Sequence, residues 1–167
     1  RWEPGAYILT APGNRHLAHT PPLREFAFET VFAFNESVFT NRGEGDPGIR
    51  FFFRYDALRC RGWYVSLLFG KDRTVASLCR EEGVSHRVVA EEVVADRPGR
   101  PGSMRARLAV GGDAVLLSLD GSPPVAFALP GDAPERGLVG FDRTPFFGEL
   151  RLLEAAIESS DEIPCEE

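Results

Sequence analysis

The sequence predicts an all-β fold of antiparallel strands, a sandwich or a barrel. Three observations predict it. Apolar residues recur at every second position rather than at helical spacing. The alternating runs are bounded by Gly, Pro, Asn and Asp. About nine or ten such runs follow one another at the interval expected of sandwiches and barrels.

From Glu25 to Phe34, Phe26, Phe28, Phe32 and Phe34 share one face, and Glu25, Ala27, Glu29, Val31 and Ala33 share the other. Four rings on one side of one strand mark a core face. A loop from Asn35 to Gly48, with Asn41, Gly43, Gly45 and Pro47, leads to a strand at Ile49–Tyr55. There Ile49, Phe51, Phe53 and Tyr55 alternate with Arg50, Phe52 and Arg54. Trp63–Phe69 follows, with Trp63 in phase with Val65, Leu67 and Phe69 and so expected in the core, and Tyr64 on the opposite face. The turn Gly70-Lys71-Asp72-Arg73 returns the chain as Thr74–Arg80, a hairpin, and Arg87–Val94 adds a further apolar strand. Asp96 to Ser103 is a Pro/Gly-rich loop. Met104–Val110 pairs with Ala114–Leu119 across Gly111-Gly112-Asp113, and Asp120-Gly121-Ser122-Pro123 makes another turn. Short strands at Val125–Leu129, Gly137–Phe141 and Phe147–Glu154 complete the set. The last is read as a closing strand because Leu150 and Leu152 alternate with Arg151 and Leu153.

Hydrophobic residues are 43% and charged residues 26%, the balance of a soluble globular domain. No apolar run is long enough to cross a bilayer as a helix. Net charge is -6, and the stretch from Ile157 to Glu167 holds five acids and no base, which leaves the body of the chain near -1. That body lacks the basic field that nucleic-acid binding requires. There is one Lys, Lys71, against 18 Arg, a compositional bias that discounts arginine counts as functional signals. The chain does not begin with Met, as expected of a mature form or a piece of something longer. Cys60, Cys79 and Cys165 are too few and too scattered for a disulfide framework or a zinc site, and three free thiols are expected. Asn35-Glu36-Ser37 is a glycosylation sequon, a pattern that arises readily by chance.

The order of the pieces carries a resemblance. It runs "EFAFETVFAF", "GIRFFFRYD", "GWYVSLLF" and "TVASLCREEG", then "SMRARLAVGGDAVLLSLDGSPPVAF", then "RGLVGFDRTPFFGELRLLEA". The strand ending in Leu119-Asp120-Gly121 and the final strand with Gly137 and Gly140 are the most telling parts. The pattern, over roughly residues 17 to 155, resembles the concanavalin A-like, laminin-G-like modules attached to bacterial glycoside hydrolases. It is similar also to the related 3-keto-disaccharide hydrolase family. The resemblance implies a two-sheet antiparallel jelly-roll β-sandwich over residues 1–156, with 157–167 as an acidic C-terminal tail or linker. It implies a non-catalytic carbohydrate-binding module whose partner is an oligosaccharide or polysaccharide, with no nucleic acid and no membrane. A covalently linked catalytic domain and an extracellular or periplasmic location go with it.

The residues offer seven candidates for sugar contact. Arg50 and Arg54 flank Phe52 on the face opposite Ile49, Phe51 and Phe53, and a guanidinium presents five donors to sugar hydroxyls or carboxylates. Arg105 and Arg107 alternate with Met104, Ala106 and Leu108; in the same sheet, all four Arg would converge and favour an acidic or keto-sugar ligand. Tyr64 is a stacking candidate. Asp142 and Arg143 follow a strand in what reads as a loop, where an acid can accept sugar hydroxyls or help to bind calcium. Against each stands a plainer role: a solvated outer face for the arginines, a turn for Asp142.

No catalytic signature is present. His16, His19 and His86 are scattered, a G-x-S-x-G elbow and a GxGxxG loop are absent, and the paired Glu81-Glu82 and Glu91-Glu92 diverge on a strand. No cofactor is implied, and no motif supports a structural calcium. Two alternatives accompany the main reading. One is a small 3-keto-glycoside hydrolase-like enzyme using Asp142, Glu149 or His19 for acid/base work. The other is a structural or protein-interaction laminin-G-like module.

Overall fold

In the computed structural model the alternation of the sequence becomes thirteen strands among the described residues, which are 2–3, 6–9, 16–17, 22–35, 38–39, 45–96, 102–134, 136–146 and 148–159. The strands are β1 (Trp2–Glu3), β2 (Ala6–Leu9), β3 (His16–Leu17), β4 (Phe26–Phe34), β5 (Gly48–Asp56), β6 (Arg61–Phe69) and β7 (Thr74–Glu82). They continue as β8 (Ser85–Ala95), β9 (Gly102–Gly111), β10 (Ala114–Leu119), β11 (Val125–Ala128), β12 (Leu138–Arg143) and β13 (Leu150–Ser159). Two antiparallel sheets form. One has seven strands in the order β1-β2-β13-β4-β9-β10-β11; the other has six, β3-β12-β5-β6-β7-β8.

The inner faces are those the alternation marks. Burial along β4 alternates strictly, with Phe26, Phe28, Phe32 and Phe34 inward. Phe28 meets Phe51 edge-on at 5.8 Å and stacks with Phe141 at 6.4 Å across the sandwich. Phe69 packs between Phe32 and Phe34 at 6.0 and 5.5 Å. Trp63, Val65 and Leu67 from β6 and Met104, Ala106 and Leu108 from β9 join the same core.

Four details depart from the sequence reading. The first is Tyr55, expected inward with Phe53. Arg54 adopts a left-handed backbone (φ 49°), and the β5–β6 register slips between Phe53 and Asp56. The extra residue of this bulge turns Tyr55 outward, where it packs with Phe52, Tyr64 and Cys79. Gly137 makes the bulge sterically feasible, because a Cβ there would lie 2.2–2.3 Å from the backbone of Arg54 and Tyr55. Second, β1, β2 and β3 were not read from the sequence; β2 adds to β13 and β3 to β12. Third, β13 runs on to Ser159, with Ile157, Glu158 and Ser159 opposite Phe28, Ala27 and Phe26, so the expected boundary at 156 falls inside a strand; residues 160–167 lie outside the described residues. Fourth, Asp142 and Arg143 belong to β12 rather than to a loop.

The Asp120-Gly121 turn is as read. Both residues have positive φ (50° and 71°), and the Ser122 amide donates to the Leu119 carbonyl at 2.9 Å, as in a type I′ turn. Phe32→Ala is expected to cost about 3–5 kcal/mol, because its ring is fully enclosed. Gly121→Val is expected to cost only about 1–2 kcal/mol, the penalty of the left-handed backbone, since no atom lies within 4 Å of the added Cβ. Denaturant unfolding of the two variants tests the order; a Gly121→Val loss equal to that of Phe32→Ala would contradict it.

Candidate functional site

Outward-facing side chains of the six-stranded sheet line up in transverse rows, because consecutive strands are in register. One row reads Asp142 on β12, Arg50 on β5, Ser66 on β6, Ser77 on β7 and Glu91 on β8. The next reads Gly140, Phe52, Tyr64, Cys79 and Val88 on the same strands. A third row includes Gly62, Glu81 and His86. The first row is polar, the second largely apolar, and the third ends in an acid–imidazole pair.

This face is built in two layers. Phe52, Tyr64 and Cys79 are buried and, with Tyr55, form a hydrophobic cluster separate from the main core. Above them, the Arg50 guanidinium lies 5.4 Å from the Tyr64 ring centre and 3.8 Å from the Asp142 carboxylate, its side chain 20% exposed. His86, with a 39% exposed side chain, accepts the Tyr64 hydroxyl at Nδ1 (3.0 Å) and faces the buried Glu81 carboxylate through Nε2 (3.3 Å). A carboxylate can only accept, so Nε2 carries a proton, and in the neutral ring Nδ1 is then free to accept from Tyr64. Ser77 donates to Glu91 at 3.2 Å. A molecule laid on this face therefore meets Arg50, His86 and Glu91, positioned by groups that it does not touch.

Burial pushes the Tyr64 hydroxyl up to about 12; the nearby Cys79 and Glu81 add to the rise and Arg50 opposes it. The Cys79 thiol is likewise raised, chiefly by burial. Tyr64 is thus a neutral donor across the physiological range.

Of the predicted site residues, Arg50 and Tyr64 come together here, although Tyr64 supports the face from below instead of offering an open ring for stacking. Arg54 does not join them. Its side chain is buried at the β5 bulge and donates to the Gly112 carbonyl at 2.6 Å. Arg105 and Arg107 lie on β9 in the other sheet, so the expected convergence of four arginines on one face does not occur. Arg105 pairs there with Glu29 (2.8 Å) and Glu154 (3.5 Å), while Arg107 borders a hollow of about 480 Å³ lined also by Ala27, Ala109 and Leu116. Asp142 is enclosed in the sheet beside Arg50. Arg143 is enclosed too: it donates to the carbonyls of Thr144 (3.3 Å), Gly148 (2.5 Å) and Phe146 and lies over the Phe146 ring, so it ties down the turn after β12.

Sequence reasoning missed His86 and Glu81. The signal was the two-residue turn Gly83-Val84: in a hairpin, residues placed symmetrically about the turn are cross-strand partners on one face. The acid/base alternative draws on Asp142 and Glu149, which sit in different sheets' surroundings, Glu149 next to β13 and 3.5 Å from Arg151; His19 lies outside the described residues. Cys60 and Cys79 are free thiols, and Cys165 lies outside the described residues. Among the described residues no group of three or more His, Cys, Asp or Glu is placed to hold a metal ion.

The Tyr64 shift has a consequence for stability. A hydroxyl whose pKa is higher in the folded state holds its proton more tightly when folded. Its contribution is complete below about pH 10 and is lost as the pH rises towards about 12. The stability of the wild type is therefore expected to fall more steeply over that window than that of Tyr64→Phe, in parallel denaturant titrations. Equal slopes would show that Tyr64 ionises as it does in the unfolded chain.

No protein-family model and no curated protein sequence matches the chain. Solved structures do match in fold. A carbohydrate-binding module of Bacillus subtilis, CBM66, superposes with a TM-score of 0.63 at 16% identity, over 93% of this chain and 96% of that one. A tetrameric galectin from the ball sponge Cinachyrella gives 0.59 at 11% identity, over 85% and 97%. The β-fructofuranosidase of Aspergillus kawachii, complexed with glycerol, gives 0.61 at 12% identity, over 93% of this chain and 26% of the enzyme. With two antiparallel sheets in the observed order, the chain is a jelly-roll β-sandwich of the concanavalin A-like kind.

Proposed function

We propose that the chain is a non-catalytic carbohydrate-binding module that presents the outer face of its six-stranded sheet to the sugar, with Arg50 and His86 as the contact groups. The observation that carries this reading is the two-layer face itself. Arg50 is fixed by Asp142 and Tyr64, and His86 by Tyr64 and Glu81, so fixed polar groups from β5 and β8 stand on either side of Tyr64 over a buried aromatic bed. Sugar hydroxyls need donors and acceptors at set positions, and side chains already immobilised lose little entropy on binding. The similarity in fold to a carbohydrate-binding module and to galectins supports the same reading.

The ligand expected on this face is a neutral oligosaccharide. Asp142 offsets Arg50, and Glu81 and Glu91 add further negative charge, so the described residues of the face carry no cationic excess to hold an acidic sugar. The likeness to a module-sized quarter of a fructofuranosidase supports a role beside a glycoside-active enzyme.

A glycan array followed by calorimetry tests the reading. Arg50→Lys keeps a charge beside Asp142 but loses the planar fork, and His86→Ala removes the imidazole. Each is expected to weaken binding of a neutral glycan by roughly tenfold, with little change in melting temperature. Arg50→Lys does so by losing a charge-assisted hydrogen bond, and His86→Ala by losing the contact surface of the ring, whose two nitrogens are already taken by Tyr64 and Glu81. Arg107→Ala, on the opposite sheet, is expected to bind as wild type. Failure of every neutral glycan to bind at millimolar concentration, or wild-type affinity in both face variants, would overturn the proposal.

A further inference from the structure

A second recess lies at one end of the sandwich, where the β5–β6 and β7–β8 turns approach the connection that leads to β12. It is a cleft of about 340 Å³ whose lining includes Arg59, Arg61, Arg80, Arg136, Asp132 and, at its base, Arg54. It meets the outer face described above only along Gly62 and Glu81.

The rim is rigid for stated reasons. Arg54 and Cys60, both with left-handed backbone (φ 49° and 50°), bracket the β5–β6 turn. The Asp56 carboxylate accepts the amides of Leu58 (3.1 Å) and Arg59 (3.3 Å) inside that turn. The Gly83 amide donates to the Cys60 carbonyl at 2.9 Å and ties the two hairpin ends together. A Cβ on Gly62 would lie 2.7–2.8 Å from Tyr55, so the strand beside Arg61 fits only without a side chain there. Non-glycine residues in the left-handed region cost free energy and persist where packing imposes them, often around a binding site.

Charge in the cleft is distributed unevenly. Asp132 and Glu82 both engage Arg80, at 3.0 and 2.9 Å, and Glu81 faces His86. Asp56 pairs with Arg59 only at 3.8 Å, between side chains 45% and 75% exposed, a contact that water screens and a ligand can displace. Arg61, on the other side of Cys60, has no acidic partner among the described residues. Two guanidinium groups separated by one residue thus stand on a fixed rim with donors left over, above a recess large enough for one sugar ring. A planar fork of N–H donors matches a planar carboxylate in a bidentate fashion, which a hydroxyl cannot reproduce.

We propose that this cleft is a separate site for the carboxylate of a uronic acid, anchored by Arg61 and Arg59. It stands independently of the neutral-sugar reading of the sheet face, and the two sites give separate signals.

The test is an amide NMR titration of the full chain with glucuronate, glucose and sodium sulfate in parallel. Glucuronate is expected to shift the amides of Arg59, Cys60, Arg61 and Gly62, to bind there roughly tenfold more tightly than glucose, and to weaken as salt is added. Arg61→Ala, at an exposed strand end, is expected to remove that preference while the amides of Arg50, Ser66 and His86 keep their wild-type positions. Equal shifts from glucose and glucuronate would overturn the proposal. So would a glucuronate response that survives Arg61→Ala, the absence of any response at these amides, or sulfate binding as well as glucuronate, which would mark an adventitious ion only. Failure of the sheet-face reading would appear elsewhere, as an unresponsive Arg50–Ser66–His86 set with every neutral glycan.

Discussion

The packing of Phe28, Phe32 and Phe34 on β4 against Phe51, Phe69 and Phe141 from the opposite sheet is the constraint on which the other features depend. Strand side chains alternate, so choosing which residues face this seam also chooses which face out. With Phe51 and Phe53 inward, Arg50 and Phe52 must point to the other side; with Trp63 and Val65 inward, so must Tyr64 and Ser66. A slip of one residue in β5 would turn Arg50 inward and Phe51 and Phe53 outward. The hydrophobic seam therefore sets the register that places Asp142, Arg50, Ser66, Ser77 and Glu91 in one line.

One residue breaks the parity, and the site gains from it. The bulge at Arg54 sends Tyr55 to the outer side, where it fills the bed beside Phe52 and Tyr64. The same bulge turns the Arg54 side chain towards the β9–β10 hairpin, where Gly112 accepts it, and so links the end of one sheet to the end of the other. The backbone cost of a left-handed arginine is offset by this packing, which is possible because Gly137 and Gly62 let the neighbouring chains approach more closely than any side chain would allow.

The core was legible in the sequence and the sheet order was not, for physical reasons. Alternation is local, so the inward set on β4, β6 and β9 could be read residue by residue. Pairing between distant strands is non-local. The placement of β9 between β4 and β10, which separates Arg105 and Arg107 from Arg50, cannot be read from spacing. The bulge was hidden for a related reason: a left-handed arginine carries no glycine to announce it. Asp142-Arg143-Thr144-Pro145 has turn composition, yet its first two residues belong to an interior strand, where Asp142 pairs with Arg50 and Arg143 reaches the carbonyls of the following turn. The Glu81–His86 pair was legible, since Gly83-Val84 makes a local hairpin that sets the two residues opposite each other, whereas the spacing of the three histidines along the chain carries no such signal.

The polar groups of the outer face gain their fixity from the apolar bed beneath them. Tyr64 is held in place by burial, and the same burial keeps its hydroxyl protonated and so a permanent donor to His86. His86 in turn presents Nε2–H to a carboxylate that is itself enclosed by the sheet. Each link is weak alone, since a half-exposed ion pair contributes little and a single hydrogen bond contributes about 1 kcal/mol. Their value lies in geometry: Arg50 and His86 cannot both be displaced without disturbing Tyr64, and Tyr64 cannot move without opening the cluster formed with Phe52, Tyr55 and Cys79. A sheet face arranged in this way trades breadth of contact for a few immobile groups. Such a surface can discriminate among sugars by the orientation of their hydroxyls even where its total affinity is modest.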